Sequence, residues 1–186
     1  KGSLTYAKPY FNYTDNTLFT TVKSTSTDNL TTSGYKVSTA GFSLGTKFEQ
    51  YENLYFSPEI DLTLEDLTTN SNASTNLKKQ EGNYSDFYFN YGLDFDTRNS
   101  SYNPTKGNKI TFYQELPLIS SDNEIINSIT LTKYRSLNDS SGMTGKASFY
   151  FKAVNSLDGS DVRISKRAQM PYYRLRGFEK GKIGPK

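Results

Sequence analysis

Neither cysteine nor histidine occurs among the 186 residues. Without cysteine there is no disulfide and no thiol chemistry, and without either residue the usual zinc sites are closed. The missing histidine also removes the commonest general base, and with it Ser–His and Asp–His hydrolysis. No apolar run approaches the roughly eighteen residues that a membrane-spanning helix requires, so a membrane role could come only through strands. Charge of one sign is lacking too. The net charge is +3, and the Lys and Arg residues do not gather on one face, which argues against a nucleic-acid partner.

What is present is aromatic and polar. The chain holds fifteen Tyr and twelve Phe although only 34% of it is apolar, and the mean hydropathy is −0.70. Disordered chains are poor in aromatics, so disorder is rejected. Abundant Thr, Ser, Asn and Tyr with few helix formers indicates an all-β protein, and the length suits one domain.

Period-two alternation recurs along the chain. Over residues 85–97, Phe87, Phe89, Tyr91, Leu93 and Phe95 share one face, while Asp86, Tyr88, Asn90, Gly92, Asp94 and Asp96 share the other. Residues 54–67 set Leu54, Phe56, Ile60, Leu62 and Leu64 against a face carrying Glu59, Asp61 and Glu65. Similar patterns predict strands over 40–49, 109–116, 125–136 and 146–155, with two more near 3–10 and 17–27. These strands exceed the usual ~5–6 residues and suit the ~9–11 of an outer-membrane barrel. The connectors 99–107 and 138–144 read as compact turns and 70–84 and 157–170 as long polar loops, the asymmetry expected of such barrels. The rival is a soluble, carbohydrate-binding β-sandwich. It predicts Phe87, Phe89, Tyr91 and Phe95 inside a closed core, whereas a barrel predicts those rings on a convex face with Glu59 and Asp94 on the concave one.

No motif supports catalysis, a metal or a cofactor. The carboxylate pairs Glu59/Asp61/Glu65 and Asp94/Asp96 read as the lining of a wet lumen rather than a glycosidase pair. Asp158-Gly-Ser-Asp161 lacks the remaining ligands of a calcium loop. Asn99, Pro104 and Gly107 carry turn chemistry between two clear strands. At the end of the chain, Leu175-Arg-Gly-Phe178 places a permanent cation beside a glycine and a bulky ring, which suits a loop tip inserted among carboxylates. The bland alternative is a solvated basic tail, since Arg163, Lys166, Arg167, Arg174, Arg176, Lys180, Lys182 and Lys186 all fall there.

Taken together, Asp86-Phe-Tyr-Phe-Asn-Tyr-Gly92, Tyr102-Asn-Pro-Thr-Lys-Gly107, Ser121-Asp-Asn-Glu124, Met170-Pro-Tyr172, Leu175-Arg-Gly-Phe178 and Ile183-Gly-Pro-Lys186 resemble the outer-membrane β-barrel assembly factors. These belong to the superfamily of barrels that carry periplasmic POTRA domains. The resemblance implies an all-β antiparallel transmembrane barrel, with residues 1–186 supplying about eight consecutive strands out of roughly sixteen. The chain would be a fragment ending inside the sixth extracellular loop (about 157–186). Leu175, Arg176, Gly177, Phe178, Ile183, Gly184 and Pro185 would form that loop's lumen-anchoring motif. Asn99, Pro104 and Gly107 would form a periplasmic turn, and Phe87, Phe89, Tyr91, Leu93 and Phe95 would face lipid. The implied role is non-catalytic insertion of β-barrel proteins into the outer membrane of a Gram-negative bacterium. Its implied partners are unfolded outer-membrane clients, outer-membrane lipid and, through POTRA domains, accessory lipoproteins. The two-partner secretion pore is the alternative within the superfamily, to be separated by its number of POTRA domains. One departure stands out: Tyr173 and Arg174 join the Met-Pro-aromatic segment directly to the Arg-Gly-Phe motif, where the family usually has a glycine-rich stretch.

Overall fold

A computed structural model describes residues 1–138, 140, 142–168, 174 and 177. Eight strands run β1 (Gly2–Lys8), β2 (Thr17–Asn29), β3 (Tyr35–Tyr51), β4 (Leu54–Thr69), β5 (Gly82–Asp96), β6 (Gly107–Ile119), β7 (Glu124–Asn138) and β8 (Met143–Ser156). A single-turn helix, α1 (Thr75–Lys79), lies between β4 and β5. Every strand pairs antiparallel with its sequence neighbour, so the order in the one sheet is that of the chain. The sheet is open and curved.

The alternation read from the sequence sorts the two faces, and the sorting is inverted relative to a soluble protein. In β4, Ile60, Leu62 and Leu64 are 41%, 44% and 51% exposed, while Asp61, Thr63 and Glu65 between them are buried. Cross-strand register carries the pattern sideways. Phe42 stands opposite Leu62 and Leu62 opposite Phe87, and Phe89 opposite Leu116 and Phe112 opposite Ile129. Directly opposed residues share a face, so the outer surface is largely apolar, crossed by the hydrogen-bonded row Tyr91, Gln114 and Asn127. On the concave side, Ser43, Asp61, Thr63, Glu65, Asp86, Asn90 and Glu124 are buried. Among the described residues no second sheet covers the rings of β5, so the sandwich reading is overturned.

Three expectations need correction. The strands outrun their sequence patterns: β3 spans seventeen residues where alternation predicts only 40–49. Its ends, Tyr35–Thr39 and Gln50–Tyr51, mix polarity on both faces and give no period. The expected loop over 70–84 contains α1, capped where the Ser74 hydroxyl accepts from the Leu77 amide at 3.3 Å, and β5 already starts at Gly82. Nor does connector length separate the two ends of the sheet. The end carrying residues 9–16, 52–53, 97–106 and 139–142 includes two long connectors, and the opposite end includes the short 30–34 and 120–123. The ends differ instead in which one folds over the concave face. That end, where β4 joins β5 and β6 joins β7, is called the loop end below, and the other the turn end.

Candidate functional site: a charged clasp on the concave face

At the loop end the chain leaves β8 at Ser156 and residues 157–168 lie back against the concave face as a strap. Four carboxylates meet it there. The β4–β5 register sets Thr63 opposite Asp86 and Glu65 opposite Tyr84. Glu65 and Asp86 are therefore diagonal neighbours on one face, within reach of a common partner. Asp122 comes from the β6–β7 connector and Glu124 opens β7. Into this group the strap inserts Arg163, whose side chain is 1% exposed.

The guanidinium spends its donors on several elements at once. Nε reaches the Asp122 carboxylate at 2.8 Å, and Nη1 lies 3.2 Å from Asp86 and 3.3 Å from Glu65. Its plane packs on the Tyr84 ring, with Cζ 3.7 Å from the centroid, a stacked geometry that lysine cannot reproduce. The Arg163 amide donates to Glu124 Oε1 at 3.0 Å. Around it, the Ser165 hydroxyl donates to Glu65 at 2.6 Å, Ser120 to Asp86 at 2.7 Å, and the Ile164 amide to Gln80 Oε1 at 3.0 Å. Lys166 Nζ sits 3.7 Å from Asp86 and over the Tyr88 ring. Burial would weaken the charge of Arg163. The charge of Asp86, the hydrogen bond to Asp122 and the charge of Glu65 outweigh it and hold the pKa above its ordinary value. Arg163 is thus a permanent buried cation.

Deeper on the same face a cavity of about 510 Å³ is lined by Lys23, Glu59, Asp61, Asn90, Glu115 and Lys166, among others. Lys23 crosses the whole width of β3 to reach Asp61 at 2.7 Å. It can do so because Gly41 lies beneath it: a Cβ there would come within 2.4 Å of Lys23 Cε. Of the carboxylates expected on the concave face, Glu59, Asp61 and Glu65 line this cavity, while Asp94 lies 3.8 Å from Lys47 and Asp96 is bound by Arg98 at the turn end. Among the described residues no cluster of ligand side chains could hold a metal ion.

The predicted site residues fall in three places. Phe87, Phe89, Tyr91, Leu93 and Phe95 lie on the outer face of β5, with Tyr91 in ring contact with both Phe89 and Phe112. Asn99, Pro104 and Gly107 lie in the β5–β6 turn. There the Asn99 side-chain oxygen accepts from the Thr105 and Lys106 amides at 3.0 and 3.1 Å. Gly107 adopts φ +107°, and a Cβ would meet the Thr97 carbonyl oxygen at 2.3 Å. Of the closing motif, Leu175, Arg176, Phe178, Ile183, Gly184 and Pro185 lie outside the described residues. Gly177 is exposed with φ +107°, a conformation glycine adopts without strain. Arg174 packs its guanidinium 4.2 Å from the Tyr150 ring of β8.

Sequence reasoning missed Arg163, which stands in the sequence as one basic residue in a basic tail. The one local signal was the alternation Asp161-Val-Arg-Ile-Ser165, which puts Arg163 between two apolar residues. Its partners, 39 to 98 positions away, carry no sequence mark of the meeting.

An inverted, curved meander with a lumen-side strap is the wall of a transmembrane β-barrel. No helix among the described residues is long and apolar enough to cross a membrane. The Omp85 superfamily domain model matches residues 1–186, and the chain belongs to that superfamily. No curated protein sequence matches it. Among solved structures it is similar to the crystal structure of BamA from Haemophilus ducreyi lacking POTRA domains 1–3, with a TM-score of 0.86 at 22% identity. The match covers 98% of this chain and 38% of the Haemophilus chain, so the chain spans well under half the length of that structure.

Proposed function

We propose that this chain is a stretch of barrel wall from an outer-membrane protein assembly factor of the BamA kind, in a Gram-negative bacterium. The observation that carries the reading is the inverted sheet. Its outer face offers Phe42, Ile60, Leu62, Phe89 and Phe112 to lipid, and its inner face buries carboxylates against a strap of the same chain. In this reading Phe87, Phe89, Tyr91, Leu93 and Phe95 face the hydrocarbon. The turn at Asn99, Pro104 and Gly107 is periplasmic, and residues from 157 onward form an extracellular loop that enters the lumen. Leu175, Arg176, Gly177, Phe178, Ile183, Gly184 and Pro185 are that loop's lumen-anchoring motif in this reading. The role is non-catalytic. Client strands pair on an open seam elsewhere in the barrel, where backbone groups lack partners, and this meander is the back wall that keeps the seam's frame rigid. Accessory lipoproteins would engage through POTRA domains.

The test is reconstitution of the full-length protein in liposomes with a urea-unfolded outer-membrane client. Folding should accelerate about tenfold or more over empty liposomes, equivalent to roughly 1.4 kcal/mol off the barrier. A client that folds no faster, with passage instead of one dedicated secreted protein, would favour the two-partner secretion pore of the same superfamily.

A further inference from the structure

We infer that Arg163 is a positioning residue: it pins the turning point of the strap to the far side of the wall and so fixes where the strap lies. Three observations converge. First, the strap leaves β8 and its tip is held by β4 and β5, three to four strand spacings away, or roughly 14–19 Å. The Arg163 amide is held at Glu124, which stands opposite Ser156 of β8, so the reach across to β4 and β5 is made by the Arg163 and Ser165 side chains. Second, the chain reverses at that residue: the Arg163 carbonyl accepts from the Lys166 and Arg167 amides at 2.9 and 3.2 Å. Third, eleven residues on, Arg174 is back over Tyr150 of β8. Tyr150 lies six positions before Ser156, about 20 Å along the strand, and so deeper on the concave face. The strap therefore reaches the opposite strands through these side chains, turns on Arg163, and returns to its own strand nearer the turn end.

Two fixed points define this path. The first is long-range and charged, and it recruits four carboxylates from four different segments: Glu65, Asp86, Asp122 and Glu124. A basic loop without it would have many ways to lie over an acidic lining. With it, the strap up to residue 168 has one placement on the wall. The pin stands on the geometry alone; its consequence for client insertion rests on the function proposed above.

The experiment uses full-length protein in outer membranes, freed of any cysteine elsewhere, with Ala168→Cys in the strap as the only thiol. Labelling by a membrane-impermeant maleimide reads how often the strap leaves the wall, and cold-gel migration of the folded barrel is followed in parallel. Arg163→Ala should raise the labelling rate about tenfold with the barrel still folded, because local opening becomes easier once the bonds that hold the strap down are gone. Arg163→Lys should fall between, keeping charge without the fork and the stacking on Tyr84. Arg98→Ala, at the turn end, should leave the rate at the parent value. A parent-like rate in a folded Arg163→Ala barrel overturns the pin. If that variant does not fold, Glu65→Gln replaces it, with a smaller rise expected and a parent-like rate again overturning the idea. Client folding by the same variants is scored separately. Faster labelling with unchanged client folding leaves the pin in place and removes its link to assembly, whereas a parent protein without client activity removes the proposed function and not the pin.

Discussion

Two arginines, one at each end of the sheet, solve different problems with the same chemistry. At the turn end, Arg98 forks onto Asp96, with Nε at 2.8 Å from Oδ1 and Nη2 at 2.6 Å from Oδ2. It also reaches the Ser101 carbonyl within its own turn. At the loop end, Arg163 binds Glu65, Asp86 and Asp122, all distant in sequence. The Arg98 side chain is 14% exposed, against 1% for Arg163. The hydrogen bond that Arg98 donates to Asp96 raises its pKa, as Asp86 and its neighbours raise that of Arg163. The difference lies in what each pair ties together. A local pair stiffens a turn that backbone chemistry already forms, whereas the long-range one joins segments far apart along the chain.

Removing each arginine should expose that difference. The largest effect is expected for Arg163→Ala, which leaves buried carboxylates facing one another beside Lys166. Breaking a buried pair from one side costs about 3–5 kcal/mol, read as a lowered unfolding midpoint of the barrel in denaturant. Adding Glu65→Gln should recover part of that loss, because one uncompensated charge disappears. Simple additivity of the two substitutions would mean they do not share a site. Next comes Gly107→Ala in the β5–β6 turn. The positive φ and the close Thr97 carbonyl make any side chain strained there, so more than about 1 kcal/mol should be lost. This would show that the turn end depends on backbone conformation more than on charge. The smallest effect belongs to Arg98→Ala, about 0.2–1 kcal/mol for a screened pair and fading with added salt. A loss at Arg98 equal to that at Arg163 would erase the distinction between the two ends.

The two faces of β4 teach a related lesson about reading burial. Leu62 is exposed and Thr63 beside it is buried, the reverse of what apolar content suggests for a water-soluble chain. The order makes sense once lipid, not water, is the solvent of the outer face. It is also why alternation is easy to see in the sequence: a wall wetted on one side and greased on the other must keep period two along nearly its whole length. The rings of β5 and the turn chemistry of Asn99 and Gly107 are legible for the same reason, since each depends on neighbours within a few residues. The true extent of β3 is not legible, because its ends carry no polarity difference. Connector length is a poor guide to the ends, since a turn as long as 97–106 can be held by Asn99 and Arg98 within itself.

By itself the sequence determined the strand-by-strand alternation, the order of a meander in which each strand meets its neighbour, and the turns, all of which follow from contacts between residues close along the chain. Its lack of histidine and cysteine likewise determined which chemistries are closed. Where residues 157–168 lie after β8 follows instead from long-range packing. Arg163 finds its partners through sheet register and the curvature that brings β4 and β5 within reach of β8. A charge in a polar tail looks the same on paper whether it is solvated or buried among carboxylates from four segments.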